Sequence, residues 1–194
     1  MVRREKFDNF LLEKARLVGV EFIHSCEVKE IIQEPNQAKL VTLSGEYYAK
    51  VVVIAEGGLG KLAKKLGYTV NNTVLAGIEY EHYTQKLDGK LYIDFDYNDS
   101  GYAWNFPKSD GLSLGIGGFV KGQEKGKVGL PQKLKNYSQQ FDVNEFDKKN
   151  FHGHPILLYS GRQRLVHGNV MMIGEIAGCV DPLTAEGIRS EEHT

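Results

Sequence analysis

Cysteine is scarce: Cys26 and Cys179 are the only two in 194 residues. Their wide separation argues for a reducing compartment over a disulfide scaffold. Long apolar runs are missing as well. The longest aliphatic stretch, Val51 to Ala55, is far short of the roughly 20 residues that cross a bilayer as a helix. The opening Met-Val-Arg-Arg-Glu-Lys runs directly into an amphipathic segment, without an apolar core of signal-peptide length. A cytoplasmic location follows, and it leaves room for peripheral contact with a membrane. Excess charge of one sign is also lacking, since 24 Lys and Arg face 25 Asp and Glu for a net charge of −1. Polyanion binding over the whole surface is thereby excluded, and no nucleic-acid partner is expected. There is no Gly-x-x-x-x-Gly-Lys-Ser/Thr loop and no internal repeat. His152-x-His154 and His24-x-Cys26 have no partners at zinc spacing, so no metal site is expected.

What is present is enough apolar residue to bury a core, 41% of the chain, together with 22 glycines. Glycine in excess without low complexity points to turns and to close approach of backbone to a ligand. Phe7, Leu11, Ala15 and Val18 recur at helical spacing, which predicts a helix over residues 5–18 with one buried stripe, ended by Gly19. Two β-like runs, Glu21 to Gln33 and Ala38 to Leu43, flank the turn residues Glu34-Pro35-Asn36-Gln37 and predict a hairpin. Val51-Val52-Val53-Ile54-Ala55 is apolar on both faces, as in a covered, parallel sheet. From about Val70 to Val166 the texture changes to aromatic strands broken by Gly and Asp. It predicts an antiparallel sheet carrying one helix around Leu130 to Phe141. Asn169 to Gly174 is again a short buried strand ending in glycine. The expected fold class is α/β with an inserted β-rich domain, in which residues 1–69 and 166–188 form one layer and 70–165 the insertion.

Two strands end in the same chemistry, Ile54-Ala55-Glu56-Gly57 and Met172-Ile173-Gly174-Glu175. In each, a carboxylate leaves the carboxyl end of an apolar strand, the edge at which open α/β sheets bind ligands. Such a carboxylate can accept hydrogen bonds from sugar hydroxyls while the neighbouring glycines let backbone approach a pyrophosphate. Glu56 and Glu175 are therefore expected along one groove, with Gly187 and Ile188 on its wall. Pro182-Leu183-Thr184-Ala185-Glu186-Gly187-Ile188 makes a loop whose free amides can face an anion or a ring carbonyl. Tyr102, Trp104 and Phe106 alternate on a strand and so share one face, as core or as the wall of an apolar pocket. Cys179, in the last of these loops, reads as a packing residue.

Taken in order, Arg4-x-x-Phe7-Asp8, Val53-Ile54-Ala55-Glu56-Gly57, Tyr102-Ala103-Trp104-Asn105-Phe106-Pro107-Lys108, Gly174-Glu175-Ile176-Ala177-Gly178 and Pro182 to Ile188 resemble the FAD-dependent geranylgeranyl reductase family, within the hydroxybenzoate-hydroxylase-like flavoproteins. The resemblance covers roughly residues 2–188. It implies a partial FAD/NAD(P)-binding Rossmann-like domain, residues 1–69 and 166–188, with an antiparallel-sheet substrate domain between. It implies FAD as cofactor, with Arg4, Glu56, Gly57, Gly174, Glu175, Ala177, Gly178, Pro182, Gly187 and Ile188 around it, and Tyr102, Trp104, Phe106 and Pro107 at the substrate. The implied activity is reduction of isoprenoid double bonds by hydride from reduced flavin, on a lipid substrate and with an electron donor, NAD(P)H or another, that these residues do not identify. No catalytic acid or base is assigned.

The sequence departs from the family pattern at several positions. Both acidic sites hold Glu where Asp is usual, Ile176 replaces a small alanine, and Gly60 stands where serine is common. No strand with a Gly-x-Gly-x-x-Gly turn precedes Met1, so weak FAD binding by this chain alone is expected. Arg189 to Thr194 reads as the translation of a sequencing-library adapter and is set aside from fold reasoning. The alternatives are a flavin monooxygenase or halogenase, or an inert, truncated lipid-binding remnant.

Overall fold

The structure is a computed structural model that describes residues 3–68, 74–97, 101–119, 129–159 and 164–187. In chain order it forms helix α1 (Arg4–Leu17), strands β1 (Val28–Gln33), β2 (Ala38–Thr42), β3 (Glu46–Ala49) and β4 (Val52–Ile54), and helix α2 (Lys61–Lys65). Strands β5 (Val74–Tyr83), β6 (Tyr92–Asp94), β7 (Gly101–Lys108) and β8 (Gly111–Phe119) follow, then helix α3 (Leu130–Ser138) and strands β9 (Phe151–Leu157), β10 (Val166–His167) and β11 (Val170–Met172). The chain divides into two compact units: residues 1–22 with 76–154, and residues 23–75 with 155–194.

The unit of residues 23–75 and 155–194 holds two small sheets. The predicted hairpin is present as β1 and β2, antiparallel with Gln33 opposite Ala38 across the Glu34 to Gln37 turn. A third strand, β3, extends it. Glu21 to Glu27, expected to be strand, lies outside β1. The second sheet has the order β10-β11-β4, with β11 parallel to β4 and Val170, Met171 and Met172 opposite Val52, Val53 and Ile54. The two acid-ending runs thus share one sheet, as their matching patterns predict. One expectation fails here. Only the face carrying Val52 and Ile54 is buried, while Val53 is 48% exposed, because β4 is an edge strand of this sheet and nothing among the described residues covers its second face. The core beneath joins Ile31, Val52, Ile54, Ala63, Val170, Met172 and Ile176. The Tyr68 hydroxyl reaches it by donating to the Val170 carbonyl at 3.1 Å.

The other unit is a sheet of order β6-β7-β8-β5-β9, antiparallel along β6-β7-β8 as the aromatic segments predict. Alternation sends Leu112, Leu114 and Ile116 of β8, with Ala103 of β7, to one face, where Leu134 and Tyr137 of α3 pack on them. Pro131 in the first turn of α3 costs no hydrogen bond there. Each fully buried Leu or Ile in this layer contributes about 1.5–3 kcal/mol.

Residues 1–22 group with this sheet, whereas the sequence pattern had joined them to the α/β layer. The cause is polar. The Arg3 guanidinium donates to both carboxylate oxygens of Asp110, at 2.8–3.1 Å, ion-pairs with Glu81, and lies 4.4 Å from the Tyr83 ring centroid. Helix α1 follows its predicted span and ends at Gly19, where the Val20 amide donates back to the Ala15 carbonyl. Its apolar stripe, however, is not buried: α1 holds no buried residue, and Leu11 and Val18 are exposed.

Candidate functional site

In-register pairing of β4 and β11 brings their carboxyl ends side by side, and the Ile173 amide extends the ladder by donating to the Ile54 carbonyl at 3.0 Å. After both strands the backbone turns through glycine in the left-handed region, Gly57 at φ +67° and Gly174 at φ +69°. The half-buried Glu175 carboxylate accepts the Gly58 amide at 3.1 Å, which ties the second loop to the first. A Cβ on Gly58 would stand 2.7 Å from that carboxylate and 3.0 Å from the Pro155 carbonyl oxygen, so no larger residue fits there unless one of them moves. Glu175 itself opens a short 3₁₀ turn, Gly174–Ala177, closed by Gly178 at φ +65°.

Glu56 does something different. Its carboxylate accepts the Ala63 amide at 2.9 Å and the Leu62 amide at 3.2 Å, satisfying free donors of the first turn of α2. It is placed at the helix start with its negative charge where the helix dipole favours it. These two bonds make Glu56 a residue that shapes the loop as well as a candidate acceptor for sugar hydroxyls. The signal was available: Glu56 lies five residues before a helix whose preceding residue, Gly60, has no side chain to cap with.

The two loops also account together for two departures from the family pattern. A Cβ on Gly60 would lie 2.0 Å from Ile176 Cδ1. The larger Ile176, itself buried, fits only because residue 60 has no side chain.

Beyond Cys179, the loop of Pro182 and Gly187 is closed by a residue that the motifs did not single out. Asp181 Oδ1 accepts the Leu183 and Thr184 amides, at 2.9 and 2.7 Å, and the Thr184 hydroxyl at 2.9 Å. The Thr184 amide and hydroxyl hold the Asp181 carboxyl below the usual carboxylate range. An aspartate directly before proline and two residues before Leu-Thr is a turn signature that could have found it. Pro182 is exposed and Gly187 half-buried, while Ile188 and residues 189–194 lie outside the described residues. Ala177 is fully buried as packing. Arg4 is exposed on α1, with its guanidinium on Asp8 at 3.2 Å. Among the described residues no three His, Cys, Asp or Glu side chains gather as metal ligands would.

The aromatic motif forms a wall within the other unit. The Tyr102 and Trp104 ring centroids are 5.8 Å apart, those of Trp104 and Phe106 6.1 Å, and Phe95 continues the row 5.8 Å from Tyr102. Register sets Trp104 opposite Gly115 and Tyr102 opposite Gly117. A Cβ on Gly115 would be 1.9 Å from an indole carbon, so the indole lies directly on the β8 backbone. Pro107 falls beyond Asn105, the last residue of β7 paired with β6, where a missing N–H leaves no ladder bond unmade. At the end of the same face Lys108 reaches Glu81 at 2.8 Å and Glu79 at 3.4 Å, and Glu79 accepts the Ser113 hydroxyl. Burial pushes the Glu81 carboxyl up, but Lys108 and Arg3 outweigh it and hold the group below its ordinary range.

No family model matches the chain. A digeranylgeranylglycerophospholipid reductase of Methanosphaera stadtmanae is 29% identical over 97% of this chain and 50% of its own length. Along nearly its whole length this chain resembles such reductases. The resemblance read from the motifs is thereby borne out, and the chain spans about half the length of that curated relative. Among solved structures, a geranylgeranyl bacteriochlorophyll reductase-like protein of Thermoplasma acidophilum superposes with a TM-score of 0.80 at 20% identity, over 97% of this chain and 50% of that one. A flavoprotein/dehydrogenase of Cytophaga hutchinsonii gives 0.73 at 16% identity, over 99% and 51%. These likenesses show the fold, one of mixed α/β character with antiparallel sheets that this chain shares with those two proteins.

Proposed function

We propose that this chain carries flavin-edge loops and part of the substrate wall of an FAD-dependent reductase of isoprenoid double bonds. The observation that carries the reading is the parallel pair β4 and β11, whose carboxyl ends release two glycine turns joined by the Glu175 carboxylate and the Gly58 amide. Open α/β sheets bind extended cofactors at this edge. What supports FAD here is the chemistry of the donor set: a half-buried carboxylate, Glu175, which can accept from a hydroxyl, and the neighbouring Gly57, Gly58 and Gly174.

In this reading Glu175 accepts from the sugar chain while the Gly58 amide holds the carboxylate in place. Glu56 acts at one remove, keeping the Gly57 to Gly60 turn in shape by capping α2. Arg4, Gly178, Pro182, Gly187 and Ile188 complete the proposed cofactor surroundings. The Tyr102, Trp104 and Phe106 rings offer an apolar surface that orients a polyprenyl chain and excludes water from it, whereas Pro107 alternates to the other face of the sheet with Ala103 and Asn105. Reduced flavin, when bound, supplies hydride to the alkene. The reductase relative and the flavoprotein fold both support this reading.

The test is anaerobic incubation of the full-length protein with FAD, a chemical reductant and digeranylgeranylglycerophospholipid, following products by mass spectrometry. Gain of two hydrogens per double bond without oxygen, one as hydride from the flavin and one as a proton from solvent, is the expected result. In a parallel incubation under air, oxygen-dependent formation of a hydroxylated or halogenated product, with no alkene reduction in the anaerobic sample, would overturn it in favour of a monooxygenase or halogenase. Glu175→Gln is expected to weaken FAD binding about tenfold, the loss of one charge-assisted hydrogen bond.

A further inference from the structure

On the α3 face of the β6-β7-β8-β5 sheet, away from the aromatic wall, lies an open cleft of about 690 Å³ bounded by the turn after α3. Its size lies within the range of small-molecule sites. Asn105 lines it, 2% exposed, and the Asn105 Oδ1 atom is buried without a hydrogen-bond partner. An acceptor left this way is costly, and native proteins rarely leave one unless a ligand or water completes it. Asp88, Asp94 and Asp142 line the same cleft against a single cation, Lys86, which makes the cleft anionic. Asp94 lies on the strand next to Asn105, one step diagonal from it, since Tyr92 pairs with Asn105 and Asp94 with Ala103. The Asp94 carboxylate already accepts the Tyr137 hydroxyl through Oδ2. The Tyr92 and Phe141 rings, 5.2 Å apart, supply aromatic surface beside these acceptors.

We propose that this cleft binds a small organic ammonium ion, which donates to Asn105 Oδ1 with the Asp94 carboxylate as counter-charge. An ammonium suits the site better than a neutral polyol or a bare metal ion for three reasons. It brings N–H donors for an amide oxygen, its charge answers the excess of carboxylates, and it is stabilised by aromatic rings. A divalent cation has no cluster of three acidic or imidazole ligands to hold it here among the described residues. The inference rests on Asn105 and the cleft, not on the proposed flavin site, and can fail or hold independently of it.

Two sources share this chemistry, a free amine and the headgroup of an aminolipid. The test is calorimetric titration of the full chain with 1,4-diaminobutane, with glycerol as the neutral control. A flotation assay runs beside it, with phosphatidylcholine vesicles that contain or lack phosphatidylethanolamine. Saturable binding of the diamine without binding of glycerol supports the proposal with a soluble amine as ligand. Vesicle binding that requires phosphatidylethanolamine supports it with a headgroup. Asp94→Asn, which keeps the shape and the Tyr137 contact, is expected to weaken either binding at least tenfold. Asn105→Leu is expected to abolish it without lowering the melting temperature, because it removes the orphaned acceptor. Binding of neither probe, equal binding of glycerol, or binding unchanged in Asp94→Asn would each overturn the proposal.

Discussion

At residue 60 the absence of a side chain decides what residue 176 can be. Ile176 is 1% exposed and has little room to turn away, so a Cβ placed 2.0 Å from its Cδ1 and 2.7 Å from its Cγ1 forces a shift. Overpacking of this kind costs about 1–3 kcal/mol. Gly60→Ser is therefore expected to destabilise the protein by that amount. Ile176→Ala alone should cost about 2–5 kcal/mol as a buried truncation. If the two positions answer each other as the geometry says, the double variant is more stable than the sum of the single losses predicts, by about 1 kcal/mol or more. Chemical denaturation of the four proteins measures this coupling, and strict additivity would show that the contact carries no energy. Each position taken alone looks like an unexplained deviation from a family pattern, because a sequence displays both residues but not the distance between them.

Among the elements, strands were legible wherever pattern and turn chemistry agreed. The β1–β2 hairpin, the parallel pair of β4 and β11 and the run from β6 to β8 all follow from apolar periods bounded by turn residues. Burial was less legible. The stripe of α1 and the second face of β4 are apolar in sequence yet exposed, since periodicity says which residues share a face but not whether a neighbour covers it. The two strand-end loops show the same limit from another side: Glu56 and Glu175 both follow a buried strand beside a glycine, yet one caps a helix and the other joins two turns. The aromatic wall was legible as a shared face, but the glycines beneath it were not, because the slot at Gly115 exists only once β8 is in register with β7. Gly115→Ala would drive a Cβ into the indole of Trp104, the sole tryptophan of the chain. The expected result is a loss of about 1–3 kcal/mol together with a red shift of tryptophan emission as the ring lifts from the strand. An unchanged emission spectrum would mean that the ring does not rest there.

At the scale of the whole molecule, the described residues build one main core in each unit, and the chain passes between the units after Phe22 and within β5 and β9. One core collects Leu114, Ile116, Leu134 and Tyr137; the other collects Ile54, Val170, Met172 and Ile176. Neither group contains a residue of the other unit, so each unit has its own source of cooperativity, as independent domains do. Damage to one core should then loosen that unit ahead of the other. Leu134→Ala removes a side chain of zero exposure and should cost its unit about 2–5 kcal/mol. Hydrogen exchange followed by mass spectrometry is expected to show faster exchange in peptides from β7, β8 and α3. Peptides covering β1, β2 and β11 should keep the rates of the unaltered protein. Val170→Ala, also at zero exposure, should produce the reverse pattern. Equal acceleration everywhere in both variants would mean that the two cores unfold as one, and that the shared strands β5 and β9 couple them more strongly than either is held together within itself.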